Sequence, residues 1–480
     1  MFSGADIFLA NSGSSFYNGV ATQSLRFDDG SSPYLSKAIS GSPYTYTFSA
    51  WVKRASLGSL QVIGASRTSG VDASYISFPS SNTLEVVLGS GAGQTTTNIY
   101  RDTSAWYHIV VNCSGADGTA KLYVNSIEEK SWSAGSTPFL FTSTLTYNCS
   151  IGQYGAGAYY FDGYMAEVNF VDGLALDPTY FGEEKFGVWI PKKPDVSDYG
   201  TNGFRLKFIG TGTATSSGAV TNPTNIGDDS SGKNNHFAVS GLDPYDSNMP
   251  DSPENNFCTL NVLENAKKFA DANQTLMTQS EGNLKFSGGR NVFGTIGVNS
   301  GKWYWEVINT SSTVASVSLS GVITQGTQAQ VYGVYYNRNG NKGLGLLNSG
   351  ATESSYGATY TDNDIISVAL NMDDNQITFF KNNASQGTIT DANLAGGDVI
   401  AWTQNGANSG TLVGVYNFGA DASFAGALTG TDIGEATDGN GKGLFKYAPP
   451  SGFLSLCTAN IEEPTIGANS DTQADDHFNT

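Results

Sequence analysis

The side chains in this sequence with the clearest potential for chemistry are Glu167 and Asp172, because two carboxyl groups can cleave a glycosidic bond. In a retaining mechanism one is the nucleophile and the other the acid, and the two lie about 5 Å apart. Residues 167–172 read EVNFVD, so Asn169 occupies the position at which an intervening acid would adjust the pKa values of the two carboxyl groups. We therefore interpret Glu167 as a solvent-facing residue of a closing strand and predict that the chain has no catalytic residues.

The histidines give no support to nucleophilic catalysis. His108, His236 and His477 are far apart in the sequence, and none lies in a G-x-S-x-G motif. His108 stands between Tyr107 and Ile109 on an apparent strand. We predict that it is a packed or loop-capping histidine.

Two glycine-rich segments could be taken for ion-binding loops. Residues 438–443 (DGNGKG) begin like a calcium loop, but Lys442 would put a cation at an oxygen-ligand position, and no Glu follows at the required distance. Residues 89–93 (GSGAG) lack the Lys-Ser/Thr that completes a phosphate loop. We predict a turn at 438–443, and no metal or cofactor.

Three tyrosines in a glycine- and alanine-rich loop are the candidates for binding a glycan or a protein partner. Tyr154, Tyr159 and Tyr160 flank the small residues of 155–158. Aromatic rings pack against the C–H faces of sugars. Burial of this loop over a sandwich edge, or a subunit contact, is the structural alternative.

Composition excludes several classes of function. The formal net charge is −19 and no long Lys/Arg cluster is present, so we predict no nucleic-acid partner. Four cysteines are widely spaced with no C-x-x-C pair, which favours buried thiols. No apolar run approaches about 18 residues and the first residues lack a signal-peptide pattern, so we predict neither export by a signal peptide nor membrane insertion.

Period-two alternation of apolar residues predicts an all-β fold with two antiparallel β-sandwiches. The first covers residues 21–184 and the second residues 284–460, with an N-terminal attachment arm at 1–20. An irregular, proline-rich connector covers 185–283, and it contains one short helix at 263–276 and one strand near 203–208. Residues 461–480 form a C-terminal tail that could begin a further domain.

An ordered series of motifs along almost the whole chain resembles a known protein family. Residues 24–30 (SLRFDDG), 48–54 (FSAWVKR) and 161–168 (FDGYMAEV) are similar to a concanavalin/laminin-G-like domain of marine bacteriophage fibre proteins. Residues 251–257 (DSPENNF) resemble that family's connector, and 300–306 (SGKWYWE) resemble the start of a SPRY-like sandwich. The resemblance implies a laminin-G/concanavalin-like jelly roll followed by a SPRY-like sandwich.

What the resemblance implies about function is a structural role in a phage virion. The chain would be a tail-fibre or appendage protein, assembled in the bacterial cytoplasm, that adheres to a host-surface glycan or docks to other virion proteins. Phage fibres are commonly trimeric, so a homo-oligomer is expected. The alternatives are a capsid-decoration, head-fibre or tail-hub protein without receptor contact, and a glycan depolymerase, since concanavalin-like sandwiches also include glucanases.

Overall fold

The computed structural model describes residues 17–67, 73–89, 91–155, 157–185, 187–263, 277–288, 290–312, 318–324, 331–347, 351–405 and 411–461. Within these ranges the chain is built of β-strands and short 3₁₀ helices, and no α-helix occurs among them. The 3₁₀ helices are Asp29–Ser31, Pro178–Tyr180, Pro244–Asp246, Ala392–Gly396, Gly430–Asp432 and Thr458–Asn460. The predicted all-β class with two antiparallel sandwiches is confirmed.

The first sandwich and the segment after it contain sixteen strands. They are β1 (Leu25–Phe27), β2 (Tyr34–Lys37), β3 (Tyr46–Arg54), β4 (Gln61–Arg67), β5 (Ala73–Phe78), β6 (Glu85–Val87), β7 (Gln94–Thr95), β8 (Trp106–Ser114), β9 (Thr119–Val124), β10 (Ile127–Ser133), β11 (Tyr147–Ile151), β12 (Gly163–Asp172), β13 (Gly182–Lys185), β14 (Val188–Pro191), β15 (Phe204–Leu206) and β16 (Ala238–Ser240). One sheet has the order β1-β12-β3-β8-β9-β10, with β15 also paired to β12, and it faces a sheet of order β16-β2-β11-β4-β5-β6-β7. Strands β13 and β14 form a separate two-stranded sheet.

Period-two alternation along β3, β8 and β9 places one face of each strand in the core of this sandwich. Tyr46, Phe48, Ala50 and Val52 of β3 all belong to one buried apolar cluster between the sheets. A run of period two has one face toward the core because successive side chains point to opposite sides of a strand.

Period-two alternation predicts one shared face for Tyr164, Ala166, Val168 and Phe170 of β12, and this prediction is wrong over the first half of the strand. Its pairing with β3 skips one residue between Ala166 and Asn169, which is a β-bulge, and Glu167 within it has a φ of +47°. An extra residue reverses the alternation. Met165 therefore joins the core of the first sandwich, while Tyr164 packs into the apolar cluster of the second.

The second sandwich is formed by the remaining fourteen strands. They are β17 (Thr278–Ser280), β18 (Lys285–Ser287), β19 (Asn291–Val298), β20 (Lys302–Ser312), β21 (Ser318–Thr324), β22 (Tyr332–Asn337), β23 (Asn341–Leu346), β24 (Thr352–Ser355), β25 (Ile365–Asn371), β26 (Gln376–Lys381), β27 (Ala384–Thr390), β28 (Val399–Asn405), β29 (Leu412–Asn417) and β30 (Leu454–Ser455). One sheet has the order β17-β18-β29-β20-β25-β26-β27, with β30 parallel to β20, and the other has the order β19-β28-β21-β22-β23-β24. Period-two alternation holds here, because Trp305 and Val307 of β20 and Val368 and Leu370 of β25 point into one core.

The segment interpreted as a connector supplies strands to both sandwiches. The predicted strand near 203–208 is β15, which pairs with β12, and β16 pairs with β2 at the edge of the opposite sheet. Phe208 and Phe237 of the same segment are buried in the core of the first sandwich. Residues 264–276 of the predicted helix, most of the arm at 1–20, and residues 462–480 of the C-terminal tail lie outside the described residues.

Residues 251–256, which we call the clamp segment, bind distant parts of the chain. The Glu254 carboxylate accepts hydrogen bonds from the backbone N–H groups of residues 19, 20 and 21, at 2.8 to 3.0 Å. The Asp251 carboxylate is bound by Lys53 Nζ at 2.8 Å and by Trp106 Nε1 at 3.3 Å. The backbone N–H groups of 256 and 459 complete the contacts by bonding to Thr458 Oγ1 and Asn255 Oδ1. The clamp segment thus ties the start of the first sandwich to the end of the second.

A second polar contact between the sandwiches is centred on Arg26 of β1, which is fully buried. Its guanidinium lies 2.9 Å from the Asp246 carboxylate and 2.9 Å from that of Asp421, with Glu281 at 3.6 Å. Asp421 follows β29 of the second sandwich. Burial disfavours the charge, but the three carboxylates outweigh it and raise the pKa of Arg26 above its usual value.

The four cysteines are all free and buried, as the sequence predicted. Burial raises the pKa of the Cys113 thiol to about 11, so it is protonated at neutral pH. In the part of the chain that the structure describes, no helix is long and apolar enough to cross a membrane.

Candidate functional site

The loop between β11 and β12, residues 152–162, folds over the outer surface of β4 and β5. The Tyr159 carbonyl accepts a hydrogen bond from the Val62 N–H of β4, and the Phe161 N–H donates to the Gly152 carbonyl and closes the loop. Gly155 has a φ of +91°, and a Cβ there would lie 3.1 Å from the Tyr147 ring. Glycine is therefore required at 155 both by its backbone conformation and by the close approach of that ring.

Tyr154 is the centre of an aromatic cluster on this surface. Its ring meets the edge of Tyr75 at a centroid distance of 5.2 Å and that of Tyr159 at 5.5 Å. The Arg67 guanidinium lies over the Tyr154 ring, 4.3 Å from its centroid. Tyr159 is 49% exposed, whereas Tyr154 is half-buried. We call Arg67, Tyr75, Tyr154 and Tyr159 the aromatic surface.

Of the three tyrosines selected from the sequence, the structure brings two together. Tyr160 is half-buried and, among the described residues, makes no ring contact with another aromatic side chain. Tyr75 and Arg67 were missed, because they contact Tyr154 across a separation of about eighty residues. Alternation along β5 gave the available signal, since Ile76 and Phe78 point into the core and Tyr75 must point out.

The aromatic surface can provide both parts of sugar recognition. An exposed ring packs against the apolar face of a pyranose, while charged and polar groups bond its hydroxyls. Arg67 supplies N–H donors beside the rings, and Glu85 supplies acceptor oxygens, one of which lies 3.3 Å from the Tyr75 hydroxyl. Because Arg67 already stacks on Tyr154, its guanidinium is held in place before a ligand arrives.

A separate concave region lies beside the end of β12 at Asp172, but its polar groups bond to one another. It is an open depression of about 360 Å³ lined by Ser40, Gly41, Ser42, Pro43, Asp172, Thr201 and Asn202. Asn202 Nδ2 donates to Asp172 Oδ2 at 2.8 Å and to the Ser40 carbonyl at 2.9 Å. Any ligand would have to compete with these internal hydrogen bonds.

The interpretation of Glu167 as solvent-facing is wrong. Its side chain is buried, and both carboxylate oxygens accept from Arg205 of β15, at 2.8 and 3.0 Å. The bulge in β12 and the added strand β15 cause this burial. Asn169, the residue in place of the tuning acid, donates to the Glu167 carbonyl and accepts from the Tyr199 hydroxyl. The carboxylate with the best catalytic spacing is therefore held in a structural ion pair.

His108 is packed, as predicted. Its ring stacks between Trp51 and Trp189, at centroid distances of 4.7 and 6.0 Å. Trp189 Nε1 donates to His108 Nδ1 at 2.9 Å, so the proton of a neutral ring lies on Nε2 and is donated to Ser49 Oγ, also at 2.9 Å. Burial lowers the pKa of His108 to about 3, which keeps the ring neutral.

The loop at 438–443 is a turn, in agreement with the sequence. Asp438 Oδ1 accepts from the N–H groups of Asn440 and Lys442, both at 2.9 Å. Its Oδ2 accepts from the Ser455 backbone N–H, the Ser455 hydroxyl and Asn460 Nδ2. With these five donors the carboxylate closes the loop onto β30.

Comparison with known proteins assigns both sandwiches. Residues 28–179 match the family model described as Concanavalin A-like lectin/glucanases superfamily, and residues 302–408 match that of the SPRY domain. A comparison with curated proteins gives no match.

Three solved structures show low overall similarity. A protein from Bacteroides ovatus ATCC 8483, described as a candidate carbohydrate binding protein, is 17% identical with a TM-score of 0.33; the match covers 46% of this chain and 58% of that one. The SPRY domain of human HERC1 is 15% identical with a TM-score of 0.24, and covers 29% of this chain and 88% of that one. Domains LG4-5 of the mouse laminin alpha1 chain are 9% identical with a TM-score of 0.26, and cover 92% and 89%.

These scores are too low for a ligand to be transferred to this chain. The fold and the two family models agree, and neither model indicates a particular enzyme family. The chain therefore contains, in this order, a concanavalin A-like domain and a SPRY domain, and the segment between them packs against both.

Proposed function

We propose that this chain is a non-enzymatic adhesion protein of a bacteriophage virion, a tail-fibre or appendage component that binds a host-surface glycan through its aromatic surface. The observation that carries the binding role is the exposed ring of Tyr159 beside the stacked Arg67 and Tyr154 on a lectin-like sandwich. The virion setting rests on the resemblance of residues 24–30, 161–168 and 251–257 to phage fibre proteins.

The charges of the surface favour a glycan that carries both hydroxyl and anionic groups. The chain as a whole is strongly acidic, with a net charge of −19, yet Arg67 presents a guanidinium at the centre of this surface. A guanidinium bonds carboxylate or phosphate oxygens with two parallel donors. An acidic sugar would therefore gain more here than a neutral one.

A depolymerase is the less favoured alternative. Retaining hydrolysis requires two carboxyl groups about 5 Å apart and available to substrate. Glu167 is buried against Arg205, and Asp172 Oδ2 accepts from both the backbone N–H and the Nδ2 of Asn202. Release of reducing ends from host polysaccharide would nevertheless contradict the non-enzymatic proposal.

The binding role is tested by comparing Tyr159→Ala with Tyr44→Ala in a host-cell binding assay with the fluorescently labelled chain. Tyr44 is a matched control because it is 38% exposed and lies outside the aromatic surface. Loss of one ring against a sugar face should cost about 1 kcal/mol, or about fivefold in affinity. Equal binding by Tyr159→Ala and the wild type would refute the role of this surface.

The virion setting is tested by immunogold electron microscopy of intact particles, with antibody raised against the second sandwich. Label on the tail or its fibres would support the adhesion proposal. Label over the head would favour the capsid-decoration alternative, and unlabelled particles would contradict both. Light scattering of the purified chain tests the expected homo-oligomer, for which a trimer remains the prediction from the resemblance.

A further inference from the structure

A buried lysine of the first sandwich contacts both ends of the clamp segment. Lys53 lies on β3, and its side chain is only 1% exposed. Its Nζ lies 2.8 Å from Asp251 Oδ2 and 2.7 Å from Asn256 Oδ1, and the Phe257 carbonyl oxygen is 3.5 Å away. An amine, a carboxylate and a carboxamide therefore meet at one point inside the protein.

The fold of the clamp segment brings its first and last residues together. The Asn255 N–H donates to the Ser252 carbonyl and the Ser252 N–H donates to the Asn255 carbonyl, so the segment forms a tight turn. Asn256 Nδ2 donates to the Ser104 carbonyl. Because only the NH₂ group of a carboxamide can donate, this bond fixes Oδ1 as the atom that faces Lys53.

The surroundings of these three groups are largely aromatic and apolar. The centroid of the Tyr164 ring lies 5.7 Å from Lys53 Nζ, and Trp106 Nε1 donates to Asp251 Oδ1 at 3.3 Å. Asp251 is fully buried, and burial raises the pKa of its carboxyl. Because burial disfavours charged forms, a proton can pass from the Lys53 ammonium to Asp251, which leaves a neutral amine and a neutral acid.

We infer that Lys53 and Asn256 form an intramolecular isopeptide bond, with Asp251 as the group that transfers protons. The neutral amine is the nucleophile, and the carboxamide carbon of Asn256 is the electrophile. Nζ lies at most about 3.9 Å from that carbon, because it is 2.7 Å from the oxygen bonded to it. Reactants held in place in this way react as one molecule, without the entropy cost of an encounter.

The reaction needs no co-reactant, and its atoms balance. Asp251 takes one proton from the Lys53 ammonium, and the Nζ lone pair attacks Asn256 Cγ. Asp251 then gives that proton to Nδ2, the Cγ–Nδ2 bond breaks, and NH₃ leaves. The new amide nitrogen loses its extra proton to Asp251, which ends as a neutral acid. Asn256 is half-buried rather than enclosed, so NH₃ has a way out of the site.

The bond closes a large loop of the chain. Residues 53 and 256 are 203 positions apart, and strands β4 to β16 lie between them. A covalent cross-link restricts the unfolded chain and so favours the folded one. Unlike the ion pair between Lys53 and Asp251, it also persists when the protein is denatured.

Intact-mass spectrometry of the purified chain under denaturing conditions tests the inference. We expect a mass about 17 Da below that of the sequence, because one NH₃ is lost when the new bond forms. Trypsin should release one branched peptide that joins residues 38–54 to residues 234–267, since it does not cleave after a lysine in amide linkage. An unmodified mass with two separate peptides would overturn the inference. Loss of NH₃ without the branched peptide would also overturn it, because succinimide formation at an Asn-Gly pair gives the same mass change.

Variants assign the roles of the three groups. Lys53→Met removes the nucleophile and Asp251→Asn removes the proton acceptor, so both should show the unmodified mass of their sequences. In boiling SDS both should migrate more slowly than the wild type, whose loop stays closed. Asn255→Ala, which removes the neighbouring carboxamide, should keep the loss of NH₃. Loss of NH₃ in Lys53→Met or Asp251→Asn would contradict the assignment, and the wild-type mass and branched peptide decide the question even if a variant does not fold.

Discussion

Replacing Arg26 by methionine should destabilise both sandwiches at once. The guanidinium is fully buried, with Nε and Nη2 bound to Asp246 at 3.1 and 2.9 Å and Nη1 bound to Asp421 at 2.9 Å. Glu281 lies 3.6 Å away. Methionine keeps most of the apolar length but leaves three carboxylates facing one another without a counter-charge.

The size of the effect follows from the burial of the partners. Removing one member of a buried ion pair costs about 3–5 kcal/mol, because an uncompensated charge remains. The side chains of Asp246 and Asp421 are only 9% and 4% exposed, so water cannot replace the guanidinium, whereas Glu281 is 17% exposed. We expect the free energy of unfolding to fall by about 4 kcal/mol at pH 7.

The loss should become smaller as the pH falls. Even with Arg26 present, burial raises the pKa of Glu281 to about 7 and raises that of Asp246, and removal of the guanidinium raises both further. A carboxyl whose pKa is higher in the folded state binds more protons there, so folding gains stability as the pH drops toward the unfolded value. At pH 5 the difference between Arg26→Met and the wild type should be clearly smaller than at pH 7.

Urea unfolding followed by tryptophan fluorescence measures this, since both sandwiches contain tryptophan. Lys121→Met is the control, because the Lys121–Glu128 pair has the same 2.9 Å separation but both side chains are about 40% exposed. Removal of this exposed ion pair should change the free energy of unfolding very little. A loss below about 1 kcal/mol for Arg26→Met, or an equal loss at pH 5 and pH 7, would refute the reasoning.

Three further predictions concern single residues. Gly163→Ala should lower the free energy of unfolding by more than about 1 kcal/mol, because φ is +144° and a Cβ would lie 2.1 Å from the Lys53 carbonyl oxygen. Gly173 also has a positive φ but lies in open space, so Gly173→Ala should lower the free energy of unfolding by less. Burial raises the pKa of Glu306 to about 7, so urea midpoints of the wild type should rise between pH 8 and pH 5, and Glu306→Gln should lack that component. The His108 ring, with a pKa lowered to about 3 by burial, should show no NMR titration between pH 7.5 and 4.5.

Each of these has a clear contrary result. Equal losses in Gly163→Ala and Gly173→Ala would show that the Lys53 carbonyl moves without cost. An unchanged pH dependence in Glu306→Gln would assign the effect to other carboxyls. A His108 titration midpoint near 6.5 would mean that its stack between Trp51 and Trp189 opens to solvent.

The fold could be predicted because apolar alternation is a local signal. Phe48 in β3 and Val368 in β25 point into the cores where period two placed them. The signal failed at Glu167, where one inserted residue reverses the alternation and where the covering Arg205 lies 38 residues away. The apolar pattern of the sequence could not reveal the bulge at Glu167, because bulges are set by tertiary packing rather than by composition.

The candidate surface was half predictable for the same reason. Tyr154 and Tyr159 lie in one loop, so their proximity is visible in the sequence. Arg67 and Tyr75 reach that loop only because β4 pairs with both β5 and β11.

The clamp segment gives the chain a short path for mechanical force. Residues 19–21 are bonded to Glu254, and residues 458 and 459 are bonded to Asn256 and Asn255. All thirty strands of the described residues lie within the two stretches of chain that these contacts close off. Tension applied between residues 19 and 459 would therefore pass through residues 254–256 and their hydrogen bonds, and neither sandwich would be stretched until those bonds break.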